Sequence, residues 1–152
     1  MPNAFQQTFT ASPTGRSSAT LVALGCNHTI TPLNSGRIFV TVSGVVANGT
    51  TTDGVNYNIY YGTGTAPSNN DAVSGTALYS ADLLVTSLVT SELSTYFAAS
   101  AIIGAVTPLV AQTCSGKGAT VAGTTYWIDV MFKYQTGGTV TFTGVSLVSF
   151  EL

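Results

Sequence analysis

At 152 residues the chain fits a single domain, long enough to bury a core without metals or disulfides. Charged residues make up 7% of it and hydrophobic residues 45%, with a formal net charge of −2, whereas soluble domains typically carry about 25% charged residues. The four Lys and Arg residues, Arg16, Arg37, Lys117 and Lys133, are scattered, which argues against nucleic acid and against an anionic membrane surface as partners, while the low charge favours association over life as a free monomer.

The polarity comes from Ser, Thr, Asn and Gly, a composition for strands and turns. Residues 1–18 are polar and patternless and read as an extended N-terminal arm, ordered on a neighbour or frayed; residues 19–152 read as the domain proper. Short strands are expected at 20–24 and 28–30 with Gly25 between them, then a turn at Pro32, Asn34, Ser35 and Gly36. The clearest central strand is 37–46, with Ile38, Val40, Val42 and Val46 on one face. A loop at 47–54 returns the chain to 55–61, where Val55, Tyr57, Ile59 and Tyr61 share a face. A long polar connection covers 62–71, and weaker strands follow at 77–79 and 83–88. Ser91 with Glu92 in a first turn suggests a short helix, although 101–106 reads equally as strand. A strand at 109–113 and a loop lead to the terminal hairpin. There Tyr126, Ile128, Val130, Phe132 and Tyr134 alternate, Gly137-Gly138 turns the chain, and Val140 and Phe142 resume. Gly144 marks a bulge at which the apolar phase slips before Val148, Phe150 and Leu152. About eight short strands separated by Gly, Pro and Asn turns give an all-β fold: an antiparallel sandwich or jelly roll with an N-terminal arm and one short helix.

Reactive groups are few. His28 is the sole histidine; with Cys26 it has metal-pair spacing but no third ligand nearby, so a satisfied structural ring is the expectation. A Ser-His-Asp triad has its ingredients but no nucleophile elbow to support it. Asp53 and Asp71 sit in Asn- and Gly-rich loops and are expected to shape Asx turns. Asp129, between Trp127 and Met131, is expected to be solvent-facing or hydrogen-bonded, or else paired across subunits with Arg37 or Lys133. Tyr57, Tyr60, Tyr61 and Trp127 are expected in a core or interface, with a sugar-stacking platform as the alternative. The residues 62–65 (Gly-Thr-Gly-Thr) lack the lysine of a phosphate loop. The N-terminus has neither the basic nor the apolar region of a secretion signal, so Cys26 and Cys114 are expected as buried thiols. The expectation is a protein that is not an enzyme and uses no cofactor and no metal.

The order of motifs resembles a group of small tailed-phage virion and prophage proteins: Gly36-Arg37-Ile38-Phe39-Val40, then Asp53-Gly54 after an Asn/Thr-rich loop, then Gly-Thr-Gly-Thr-Ala-Pro at 62–67. Gly-Thr-Thr-Tyr-Trp-Ile-Asp at 123–129, Thr-Gly-Gly-Thr at 136–139 and a closing Phe150-Glu151-Leu152 complete it. The likeness covers residues 20–152; the segment 91–106 is longer than in the group. It implies a β-sandwich virion component, first a head decoration (cement) protein that bridges capsomers, often a homotrimer, with the major capsid protein as partner, assembled in the host cytoplasm. A tail or fibre module binding a receptor or glycan is the alternative. Candidate interface residues are Phe5, Phe9 and Arg16 in the arm, Arg37 at the head of the central strand, and Trp127 and Asp129 in the terminal hairpin.

Overall fold

The computed structural model describes residues 4–8, 17–34, 36–49, 53–79, 81–85, 95–103 and 120–152. Among these the chain forms ten strands and no helix: β1 (Ala4–Thr8), β2 (Val22–Ala23), β3 (His28–Ile30), β4 (Ile38–Asn48), β5 (Val55–Gly62), β6 (Thr76–Ala77), β7 (Leu83–Val85), β8 (Thr95–Ile103), β9 (Tyr126–Tyr134) and β10 (Val140–Glu151). All pairings are antiparallel. The first sheet runs β1-β10-β4-β8. The second runs β2-β9-β5-β6, with β3 also on β9 and β7 also on β5. The expected all-β sandwich is what forms.

The two sheets share one core. From the first come Ile38, Val40, Val42 and Val46 of β4 and Val140, Phe142, Val145 and Leu147 of β10. From the second come Val55, Tyr57, Ile59 and Tyr61 of β5 and Tyr126, Ile128, Val130 and Phe132 of β9. Except for Val145 and Leu147, these are the alternating sets read from the sequence, because a period-two pattern sends one face of each strand inward. Phe132 and Phe142 meet across the core edge to face, with centroids 5.0 Å apart, a geometry that contributes about 0.5–1.5 kcal/mol beyond area burial.

Three expectations are corrected. The terminal hairpin does not form: β9 and β10 lie in different sheets, each with partners on both sides, so the turn at Gly137-Gly138 carries the chain from one sheet to the other instead of pairing its two flanks. The short helix does not form in the described part of its segment. Residues 95–103 are β8, paired with β4 at all nine positions from Thr95↔Val46 to Ile103↔Ile38. The long strand β4 needs a second partner for its N–H and C=O groups, and that ladder outweighs the helix preference of the alanines. The Ser91 start signal lies outside the described residues, as do residues 109–113. The bulge falls where Gly144 placed it, with the register shifting between Thr143 and Ser146. Beyond it, however, Val145, Leu147, Ser149 and Glu151 face the interior. Val148 and Phe150 take the other face, where Phe150 lies 4.9 Å from Phe39, its partner in the ladder.

β9 is buried on both faces. Its outer residue Trp127 packs with Ala23 and Met131, and with Leu21, Tyr60 and Ala66. The loop after β5 closes over the indole, whose Nε1 donates to the Thr63 carbonyl at 3.3 Å. That closure requires glycine: a Cβ at Gly62 would lie 2.6 Å from Trp127 Cζ2, and one at Gly75 would lie 2.6 Å from Cη2 and against the Tyr61 carbonyl. Gly62→Ala and Gly75→Ala are therefore expected to lower the unfolding free energy by about 2–4 kcal/mol each. Gly137→Ala, where an added Cβ meets nothing within 4 Å, should be close to neutral. Chemical denaturation of the three variants tests this, and equal stability of Gly62→Ala and Gly137→Ala would refute the packing account.

Candidate functional site

Among the described residues three acids are buried, Asp53 at 3%, Asp129 at 0% and Glu151 at 2% relative exposure. A buried carboxylate needs donors, and each of these takes them from backbone N–H groups.

Asp129 serves a break in the second sheet. β2 pairs with β9 at Phe132 and Met131, and β3 pairs with it at Ile128, Trp127 and Tyr126. Between them the chain leaves the ladder. Gly25 takes φ +73°, and the backbone of Asn69 leaves no room there for a Cβ, so only glycine turns here without strain. The Asp129 carboxylate accepts from the N–H groups of Gly25 (3.0 Å), Cys26 (3.1 Å) and Val130 (2.8 Å), and from the Cys26 thiol (3.3 Å). Burial pushes its carboxyl up to about 6 against the pull of those donors. Burial, with Asp129 beside it, pushes the Cys26 thiol well above the ordinary thiol value.

Asp53 ties together the β4–β5 and β9–β10 connections, which both cross between the sheets at one end of the sandwich. It accepts from the N–H groups of Gly54 (2.9 Å), Thr136 (2.9 Å) and Gly137 (2.6 Å), from the Thr136 hydroxyl (2.9 Å) and from the Asn48 amide (3.2 Å). Burial would raise its carboxyl, but these donors outweigh it and hold it below the usual value.

Glu151 organises the opposite end. Its carboxylate accepts from the N–H groups of Leu33 (2.9 Å) and Asn34 (2.6 Å). The same turn binds two neighbours: the Gly123 N–H donates to the Pro32 carbonyl at 2.7 Å, and the Leu152 N–H to the Arg37 carbonyl at 2.8 Å. The Thr120 hydroxyl donates to the Gly36 carbonyl. Leu33 (58% exposed), Val121 (61%) and Leu152 (44%), three of the four large hydrophobics exposed among the described residues, therefore sit on three segments stitched to one turn. Exposed Arg37 stands beside them. This apolar end is the candidate contact surface.

Inside the sandwich, His28 Nε2 lies 2.6 Å from Ser149 Oγ, a link from β3 to β10 across the two sheets. Both residues are buried, and burial lowers His28 to about 4. The Cys26-x-His28 pair diverges, the thiol to Asp129 and the ring to Ser149. Among the described residues no three of His, Cys, Asp and Glu gather to hold a metal ion.

The structure separates the candidate interface residues. Arg37 is at the apolar end. Trp127 and Asp129 are interior, and Lys133 pairs with Asp82 at 3.3 Å instead. Phe5 lies on β1, opposite Ser149 of β10; Phe9 and Arg16 lie outside the described residues, as does Cys114. The sugar-stacking set is dispersed, with Tyr57, Tyr61 and Trp127 buried and Tyr60 partly covered on the outer face of β5. Leu33 and Val121 went unnoticed in the sequence because a single apolar residue in a polar turn carries no periodic signal.

The architecture is similar in fold to chains of two virus structures. It aligns with a chain of the structure of infectious bursal disease virus, Gx strain, at TM-score 0.52 and 13% identity, covering 99% of this chain and 33% of that one. With the Gt strain the TM-score is 0.51 and the identity 11%, covering 97% of this chain and 33% of that one. The chain thus spans about a third of the length of those chains, and at these identities the likeness is one of fold. No protein-family model matches the chain, and no curated protein matches it.

Two of the buried titratable groups, His28 and Asp129, act in opposite directions. His28, lowered from 6.5 to about 4, contributes stability that is complete above pH 6.5 and is lost as the pH falls through about 4. Asp129, raised from 3.8 to about 6, contributes stability that is complete below pH 3.8 and is lost as the pH rises through about 6. Each shift of roughly two units corresponds to about 3 kcal/mol, and across pH 4–6.5 the two offset. The parent protein should show a nearly flat unfolding free energy over this window. His28→Gln should become more stable on acidification and Asp129→Asn less stable. Urea titrations at four pH values read the slopes, and slopes of the same sign in both variants would disprove the assignment.

Proposed function

We propose that the protein is a non-enzymatic structural component of a virion, and specifically a decoration or cement protein on the head of a tailed bacteriophage. The observation that carries this reading is the capsid-like sandwich, which matches chains of virus structures over 97–99% of its length. The motif order shared with small phage virion proteins supports the phage assignment. The interior supports the structural role: the buried acids and the histidine hold backbone turns and join the sheets, and the described chain exposes an apolar end instead of a reactive cleft.

The protein acts by burying surface across neighbouring capsomers, so that expansion or internal pressure has to break many contacts together. Apolar burial contributes about 25 cal/mol per Å², and standard interfaces bury about 1,200–2,000 Å², so strong attachment needs few charges. In this reading the partner is the major capsid protein, the working unit is a homotrimer, and neither nucleic acid nor membrane is bound. The end around Glu151 supplies the seating face and the segment 1–18 the clamp. Part of that segment, β1, lies along β10 of its own chain, and Ser17 and Ser18 bond to the β9–β10 turn at Gly138 and to the end of β9 at Tyr134.

Particles stripped of the protein and titrated with variants test this. Deleting residues 1–18 should leave a folded sandwich that occupies particles at least tenfold more weakly, and Leu33→Ser combined with Val121→Ser should do the same with unchanged stability. Undiminished occupancy in the deletion removes the clamp. Microscopy that finds the protein at the tail tip and not on the head removes the decoration role.

A further inference from the structure

A sheet edge presents a row of unpaired N–H and C=O groups, and proteins blunt such edges with short strands, charges, prolines or bulges. Among the described residues this sandwich has four edges. Those of the second sheet are made of β2 with β3 and of β6 with β7, strands of two or three residues each. One edge of the first sheet is β1, five residues long. The fourth edge is β8, nine residues long, and none of these devices protects it. Its register with β4 runs without a shift from end to end. Its sequence, Thr-Tyr-Phe-Ala-Ala-Ser-Ala-Ile-Ile, has no charge, proline or glycine, and no Asp, Glu, Lys or Arg occurs anywhere from residue 93 to residue 116. Among the described residues no strand pairs with its outer side.

We propose that β8 joins two copies of this chain: β8 of one copy pairs antiparallel with β8 of a second across a two-fold axis near Ala99, fusing two four-stranded sheets into one of eight strands. A second copy is the occupant the observations favour. An antiparallel strand pairs with itself whenever a two-fold axis passes through it, each copy presenting the same donors and acceptors. A strand without charge meets its copy without repulsion. The backbone ladder supplies the attachment, as in other cases of strand addition. The contact is a property of the isolated chain and holds whether or not the protein decorates a capsid. Beside a three-fold assembly it is a separate contact, able to link one closed unit to the next.

Sedimentation equilibrium of the full chain over micromolar concentrations reads it directly. The parent should show a reversible doubling of mass. Ala99→Lys, which sets like charges on both sides of the axis, should weaken that step at least tenfold, while Thr8→Lys on the β1 edge should leave it unchanged. A parent that never doubles overturns the proposal, as does a folded Ala99→Lys that doubles equally well. Amide hydrogen exchange on the unmodified chain decides independently of any variant. Pairing on both sides protects consecutive amides of residues 95–103 as concentration rises, whereas a free edge leaves every second one fast. Alternate fast amides at the highest concentration overturn the proposal, and so does protection that appears only when capsid particles are added, which would place another protein's strand on this edge.

Discussion

The fold depends on charge-assisted hydrogen bonds from backbone N–H groups to buried carboxylates. Each carboxylate stands where a ladder is interrupted: Asp129 at the break between β2 and β3, Asp53 at the two connections that cross between the sheets, Glu151 at the turn leading into β4. At such places N–H groups lose their strand partners and, once buried, cost about 1–3 kcal/mol each if left unmade. A carboxylate accepts several at once, and bonds to a charged acceptor are about twice as strong as neutral ones. With four Lys and Arg in the whole chain, cations could not supply that many partners. The Lys133–Asp82 pair is partly exposed on both sides, where ion pairs contribute about 0–1 kcal/mol.

Neutral amides extend the same device. Asn58 is buried within β5, where its side chain donates to the Tyr79 carbonyl at 3.1 Å and accepts from the Tyr79 N–H at 3.2 Å, standing in for a backbone neighbour. Asn48 donates to the carbonyls of Gly54 and Gly137 as well as to Asp53. The polar interior is therefore directed at the backbone and fixes where the chain turns. It also withdraws charge from the exterior, which leaves a nearly neutral surface and a turn rigid enough to hold Leu33 in the open.

Much of this architecture was legible because β4, β5 and β9 each have one face inside, and a period-two pattern reports that difference. Gly25 was read as a break, and the structure shows what fills it. Three things were not legible. The residues between the alternating ones of β9 look like an outer face, and nothing local says that Leu21, Ala66 and the loop around Gly75 lie over them. In β10 the inward set after the bulge contains Ser149 and Glu151, so the apolar count favours the wrong face; only the distant His28 and the turn at Leu33 explain why polar side chains point inward there. In β8 a run rich in alanine with two isoleucines fits helix or strand about equally, and the open edge of β4 decides between them. In each case the deciding partner lies far away in sequence, which is where single-sequence patterns carry no information.

These features bear on why such a frame suits the proposed role of burying surface against a partner. Association costs free energy for every loop and side chain it must order. A turn already fixed by Glu151, bonded in turn to Pro32, Gly123, Arg37 and Leu152, brings Leu33, Val121 and Leu152 to a partner with their backbone ordered in advance. The free energy of that ordering is met during folding, by carboxylates that the folded chain cannot easily release. Few surface charges then need to be desolvated on contact, and desolvation is where polar interfaces lose most of their gain. A chain with little charge and a carboxylate at each interrupted ladder thus resolves two requirements together: a frame that stays ordered alone, and faces that lose little free energy when they are covered.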